Sequence, residues 1–181
     1  MNKYSHLIEI IKVVAIVFTS AIIVRYLVFQ PFVVEGSSME PTFTQGEYLL
    51  IDKLSYRLYE PNRGDVIVFR YPSNQKLFYI KRVIGLPGET VTISSGAVYI
   101  GGKLLREPYL GPNVTTLVNR STQSSYEARL KEDEFFVMGD NRSMSSDSRD
   151  WGPLQRRFII GRSSLVVFPT QSVRAVTAPS Y

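Results

Sequence analysis

The chain has 181 residues, 44% of them apolar and 12% aromatic, which suits one packed domain and excludes a disordered chain. Its 21 Lys+Arg against 16 Asp+Glu leave a net charge of +5, spread without the dense basic stripe of a nucleic-acid binder, so no nucleic-acid partner is expected. There is no cysteine, and His6 is the one histidine. Disulfides, thiolate chemistry and a histidine-built metal site are thereby excluded, and neither metal nor cofactor is expected.

Residues 7–29 read LIEIIKVVAIVFTSAIIVRYLVF. The uncharged part, Val13–Val24, falls short of the roughly 20 residues of a span. Lys12 and Arg25 can bury their stems and keep their charges in the interface. Twenty-three residues make about 34 Å of helix, enough for a bilayer core. The segment predicts an uncleaved transmembrane anchor over 7–29, with residues 1–6 as a short cytoplasmic tail. A buried core helix, apolar all round, would be out of place at the very start of an otherwise β-like chain, and no clear small-x-small cleavage site follows the apolar run. Pro31 is expected to stop the helix, since its ring removes an amide donor.

From residue 47 the pattern changes to short β-branched and aromatic runs. Strands are predicted over 48–51, 65–71, 77–86, 90–94, 97–100, 134–139 and 164–168. Turns are predicted at Asn62–Gly64, Pro87–Gly88, Ser95–Gly96 and Gly101–Gly102. Residues 111–131 are polar and read as a surface excursion. The expected fold is a mainly β, antiparallel or mixed domain over 31–181, sandwich-like or partly closed.

Residues 34–42 read VEGSSMEPT. No packing need places Ser37 and Ser38 side by side in a polar loop, and either could be a nucleophile. A serine needs a neighbour to take its proton. His6 lies across the expected anchor, which leaves carboxylates and lysines. A lysine serves only as the neutral amine, so its pKa must fall from about 10.4 towards 7–8, a cost of about 4 kcal/mol. Burial produces such shifts. Lys3 and Lys12 lie on the anchor side, Lys53, Lys103 and Lys131 in polar or turn-rich surroundings, and Lys76 before its strand. Lys81 lies inside LFYIKRVIGL with Tyr79 and Val83 on its own face. It is either a buried base or an edge-strand lysine that resists aggregation.

Two further stretches invite comparison with known motifs. SNQK (73–76) fits S-x-x-K, but it follows Tyr-Pro in a turn and no K-T-G occurs. GDNRSMSSDSRDWG (139–152) lacks the frame of an EF-hand loop. Its Asp147 with Arg149, and Asp140 with Arg142, suit a local ion-pair network that fixes a loop.

Four segments in order, GSSMEPT (36–42), RGDVIVF (63–69), YIKRVIGLPGE (79–89) and MGDNRSMSSDSR (138–149), resemble those of bacterial type I signal peptidases, membrane-bound Ser-Lys proteases of family S26. The resemblance covers roughly residues 31–169. It implies an antiparallel β catalytic domain with a small β-ribbon insertion at about 89–132, on the extracytoplasmic side of a bacterial cytoplasmic or thylakoid membrane. It implies membrane lipid and secretory preproteins as partners, with cleavage after a small-x-small site.

Carried over residue by residue, the resemblance makes Ser38 the nucleophile and Lys81 the general base, with Ser145 orienting Lys81 by a hydrogen bond. Asp140 with Arg82, and Asp147 with Arg149, match structural ion pairs. Val34, Met39, Phe43, Tyr79 and Ile80 fall where the family lines its shallow substrate pockets. Gly36 departs from those members that place a serine there to assist the oxyanion hole. Other expectations for such a chain are a self-cleaving Ser-Lys protease, or an anchored β domain without catalysis. The nine residues from Phe29 to Ser38 span at most about 32 Å, which keeps the nucleophile near the membrane surface.

Overall fold

Val28 separates two kinds of structure. Before it runs helix α1, Lys3–Leu27, and after it strand β1, Phe29–Val33. The computed structural model describes residues 3–112, 114–118 and 125–181.

Helix α1 carries apolar side chains on all sides, and Leu7 through Phe18 stand exposed. Glu9 and Lys12 interrupt that surface, and among the described residues no helix is long and apolar enough to cross a membrane. The expected helical bounds 7–29 are corrected too. The chain turns strand-like at Phe29, two residues before Pro31, and Pro31 lies within β1. Proline is tolerated there because β1 is the edge of its sheet, where one row of amides needs no strand partner.

The first sheet takes β1, β2 (Tyr48–Asp52), β3 (Val66–Tyr71), β4 (Asn74–Gly85), β9 (Glu134–Met138), β10 (Leu154–Gln155), β11 (Ile159–Phe168) and β12 (Arg174–Ala175). Their order is β1-β2-β11-β3-β4-β9-β10, with β12 beside β11. The second sheet is β7-β6-β5-β8, from β5 (Thr90–Ser94), β6 (Ala97–Ile100), β7 (Lys103–Leu104) and β8 (Ser125–Arg129). Every pairing is antiparallel, so the mixed alternative falls away.

Both faces of the first sheet are covered, which explains the continuous apolar run VIVF in β3. Val66 and Val68 face one way, onto Val34, Met39, Phe43 and Leu49. Ile67 and Phe69 face the other, onto Val83, Phe135 and Val137. Ile84, Phe136 and Met138 meet Val91, Ile93, Val98 and Ala128 of the second sheet in a third cluster.

The expected polar excursion over 111–131 is corrected in part. Ser125–Arg129 is strand β8, paired with β5 from Thr90↔Arg129 to Ser94↔Ser125. Its alternation places Ala128, with Tyr126 partly, against the third cluster while Glu127 and Arg129 face out. Residues 113 and 119–124 of that stretch lie outside the described residues.

Candidate active site

The loop 34–47 joins β1 to β2 and carries Ser38. Its ends are tied to each other, with Val34 N–H donating to Glu47 C=O at 2.9 Å and Gly46 N–H to Val34 C=O at 2.9 Å. Met39 and Phe43 anchor it from below, each about 1% exposed. The turn at Gly36 uses φ +80°, a backbone region that favours glycine. Open space lies where a side chain at Gly36 would begin, and glycine supplies no side-chain donor.

Strand β4 delivers the base candidate. The register sets Lys81 opposite Ile67 and Arg82 opposite Val66, and alternation sends the two side chains to opposite faces. Lys81 is 3% exposed. Its Nζ lies 2.7 Å from Ser38 Oγ and donates to the Ile80 carbonyl at 2.8 Å. It also stands 5.3 Å from the centre of the Tyr79 ring. The reading of Lys81 as a solvent-facing lysine that resists aggregation is excluded, because its side chain is buried and turned onto Ser38. Burial lowers the lysine pKa from 10.5 to about 8, against the opposing pull of Asp147 and Asp140.

Two buried ion pairs flank this contact. Arg82 binds Asp140 through Nε at 2.9 Å and Nη2 at 2.6 Å, and donates to Gly64 C=O at 2.9 Å. Thr42 Oγ1 donates to the same carboxylate at 2.5 Å, which ties the serine loop to β4. Asp147 accepts from Arg149 Nε and Nη2 at 2.8 Å each, and from Gly139 N–H at 3.0 Å. Burial alone would raise the Asp147 pKa. The Arg149 hydrogen bonds and charge, with the Gly139 amide, outweigh it and hold the carboxyl below its usual range.

Two expectations are corrected here. Asp140 pairs with Arg82, the partner the resemblance implied, and not with Arg142, which instead binds Glu107, Thr116 and the Gly139 carbonyl. The reason is tertiary: Glu107 and Thr116 come from the connection between β7 and β8 and meet the loop at Arg142. The hydrogen bond from Ser145 to Lys81 is not formed. Ser145 Oγ is buried beside Gly139 and makes no hydrogen bond to Lys81. Lys81 Nζ turns to Ser38 and Ile80 instead.

Gly139 is a close-approach position beside the serine loop that sequence reasoning passed over. A side chain there would collide with the Ser38 carbonyl and with the Ser145 hydroxyl. Beside it, Asn141 N–H donates to Ser38 C=O at 3.1 Å and Asn141 Nδ2 to Ser37 C=O at 3.2 Å. The glycine in GDN thus lets two loops approach until their backbones bond. Asn and Gly beside a serine doublet carry no such signal without the contact.

An open cleft of about 640 Å³ leads to Ser38 and Lys81. Val34, Tyr79 and Ile80 line it, joined by Phe32, Leu49 and Val68. Met39 and Phe43 do not line it. They are packed into the core beneath the loop, where their apolar bulk holds Val34 in place. The arrangement can pass a proton between a hydroxyl and an amine in an open cleft. Among the described residues, no group of three or more acidic, histidine or cysteine side chains could hold a metal ion.

The family model described as "Signal peptidase, peptidase S26" matches residues 7–168. Signal peptidase I of Bacillus licheniformis is 36% identical over 177 residues, covering 96% of this chain and 95% of that protein. Signal peptidase I T of Bacillus subtilis (strain 168) is 38% identical over 167 residues, covering 90% and 86%. A crystal structure of a signal peptidase I from Enterococcus faecalis V583 covers 57% of this chain and 97% of its own, at 34% identity and TM-score 0.49.

Proposed function

We infer, from the premise that this chain belongs to the signal peptidase family, peptidase S26, that Ser38 and Lys81 are the dyad with which it cleaves preproteins. The chain is a serine endopeptidase that removes signal peptides from secretory preproteins. One observation carries the assignment of the dyad: a hydroxyl and a buried amine of lowered pKa stand 2.7 Å apart in an open cleft.

In this reading, neutral Lys81 accepts the Ser38 proton as Oγ attacks the carbonyl of the residue before the scissile bond. The tetrahedral oxyanion is met by the backbone amide of Ser38. Lys81, now ammonium, protonates the departing amine and leaves an acyl ester on Ser38. Neutral Lys81 then takes a proton from water as its oxygen attacks the ester, and returns that proton to Ser38 Oγ as the acyl bond breaks, which restores both groups. The Ile80 carbonyl fixes the direction of Nζ throughout. Val34 and Ile80 form the floor against which small substrate side chains pack, and Arg82–Asp140 and Arg149–Asp147 hold the two loops around the dyad.

Helix α1 is the anchor in this reading, passing the membrane once with residues 1–6 on the cytoplasmic side and the domain over 31–181 outside. The small second sheet forms the insertion, about 89–132. What supports the anchor is the exposed apolar surface from Leu7 to Phe18, which water does not favour. Carbonate extraction of membranes tests it: release of the full chain into the soluble fraction refutes the anchor. For the dyad, Ser38→Ala and Lys81→Ala are tested on a preprotein with an A-x-A site. Near-native cleavage by either variant refutes the mechanism.

A further inference from the structure

Loop 34–47 is held from two sides, and only one side belongs to the motifs considered so far. On the first side stand Gly139 and Asn141, bonded to the backbone of Ser37 and Ser38. On the other stands Arg174, beyond the residues 7–168 that the family model matches.

The Arg174 guanidinium makes a fork on Glu47, Nη1 to Oε1 at 2.8 Å and Nη2 to Oε2 at 2.9 Å. The same Nη2 donates to the Thr42 carbonyl at 2.7 Å, and the group lies 5.7 Å from the centre of the Phe43 ring. Three residues of the serine loop are thus gripped by one side chain. Glu47 is itself buried, and its Oε2 accepts from Thr44 N–H at 3.2 Å.

The grip has a rigid base. Strand β12 pairs Arg174 with Val166 and Ala175 with Leu165 of β11, and Val176 N–H donates to Ser164 C=O at 2.9 Å. Val176 packs against the cluster that contains Met39 and Phe43. A planar fork on a carboxylate fixes orientation as well as distance, which an ammonium would not do. The loop has no regular secondary structure of its own to do this work.

We propose that Arg174 is a positioning residue for catalysis: it clamps the serine loop at Thr42 and Glu47, so that Ser38 Oγ keeps its place against Lys81. This rests on the Ser38–Lys81 reading above. Arg174 touches no reacting atom. Its loss leaves the cleft that binds the substrate and loosens the nucleophile, so it acts on kcat.

The test is steady-state kinetics of the full chain in detergent on a preprotein, with thermal unfolding alongside. Arg174→Ala is expected to lower kcat at least tenfold with KM within twofold of wild type, and Arg174→Lys to recover only part of it. Glu47→Gln keeps the volume and removes the charge, so it decides the matter if Arg174→Ala does not fold. It is expected to lower kcat severalfold, and Arg174→Lys with Glu47→Gln to fall no further than the worse single variant. The proposal is overturned if kcat of Glu47→Gln stays within twofold of wild type, or if the losses appear in KM. It is also overturned if the two variants add independently. Failure of the dyad is distinguishable, because Ser38→Ala would then retain activity whatever Arg174 does.

Discussion

Lys81 Nζ and Ser38 Oγ stand 2.7 Å apart although 43 positions separate them in the chain. The contact joins an irregular loop to a buried position of strand β4. It makes the base a group with no exposure to speak of, and that burial is the source of its reactivity.

Removing either partner should end cleavage. Ser38→Ala and Lys81→Ala are each expected to lower kcat/KM by about 10²–10⁴-fold or more. Lys81→Arg should fail equally, since a guanidinium supplies no neutral base. Ser37→Ala should keep most activity, because the contacts that fix Ser37 run through its carbonyl, which alanine retains. Preprotein processing followed on gels separates the four variants.

The pH dependence follows from the Lys81 pKa of about 8. Only the neutral amine takes the serine proton, so kcat/KM should rise about tenfold per pH unit below 8 and level off above it. Initial rates from pH 6 to 10 read this limb. A profile flat through 8 would remove Lys81 as the base.

The same shift affects stability with a definite sign. The unfolded lysine titrates near 10.5 and the folded one near 8. Between those values the unfolded chain holds a proton that the folded chain lacks, so stability rises with pH across the window. Below pH 8 both are protonated and the buried charge opposes folding by up to about 3 kcal/mol. Lys81→Met should therefore stabilise the domain at pH 6–7, with the gain shrinking towards pH 11. Denaturant unfolding at the two ends of the range checks this.

Arg82 and Asp140 are both almost fully buried and bonded to each other. Asp140→Ala leaves an unpaired buried guanidinium and should cost about 3–5 kcal/mol, with Arg82→Ala similar. Replacing both by apolar residues should cost less than the sum of the singles. A double-mutant cycle by chemical unfolding measures the coupling, and simple additivity would contradict it.

Gly139→Ala should impair both fold and activity. Its methyl must displace the Ser38 carbonyl or Ser145, and the overpacking is expected to cost about 1–3 kcal/mol. Because the displaced group belongs to the nucleophile, activity at temperatures well below unfolding should fall as well. Alanine tolerated with full activity would show that the two loops need not touch there.

The sequence by itself determined the β pattern, the serine in its polar loop and the lysine in its apolar strand. Period-2 alternation and turn residues are local signals, and so is a charge misplaced in an apolar run. It also places the one histidine, His6, ahead of an apolar helix, which leaves lysine and carboxylates as bases. Strand β8 was legible in the alternation of Tyr126, Ala128 and Leu130, but its polar partners masked it. Tertiary structure alone decided what faces what. The resemblance implied the Asp140–Arg82 pair, and tertiary structure decided against the nearby Arg142 by bringing Glu107 and Thr116 to it. Met39 and Phe43 went under the loop while Phe32 and Leu49 took the cleft. Arg174 reached the loop from 127 positions beyond Glu47. Such contacts depend on strand order and on close approach at Gly139, and no local pattern encodes them.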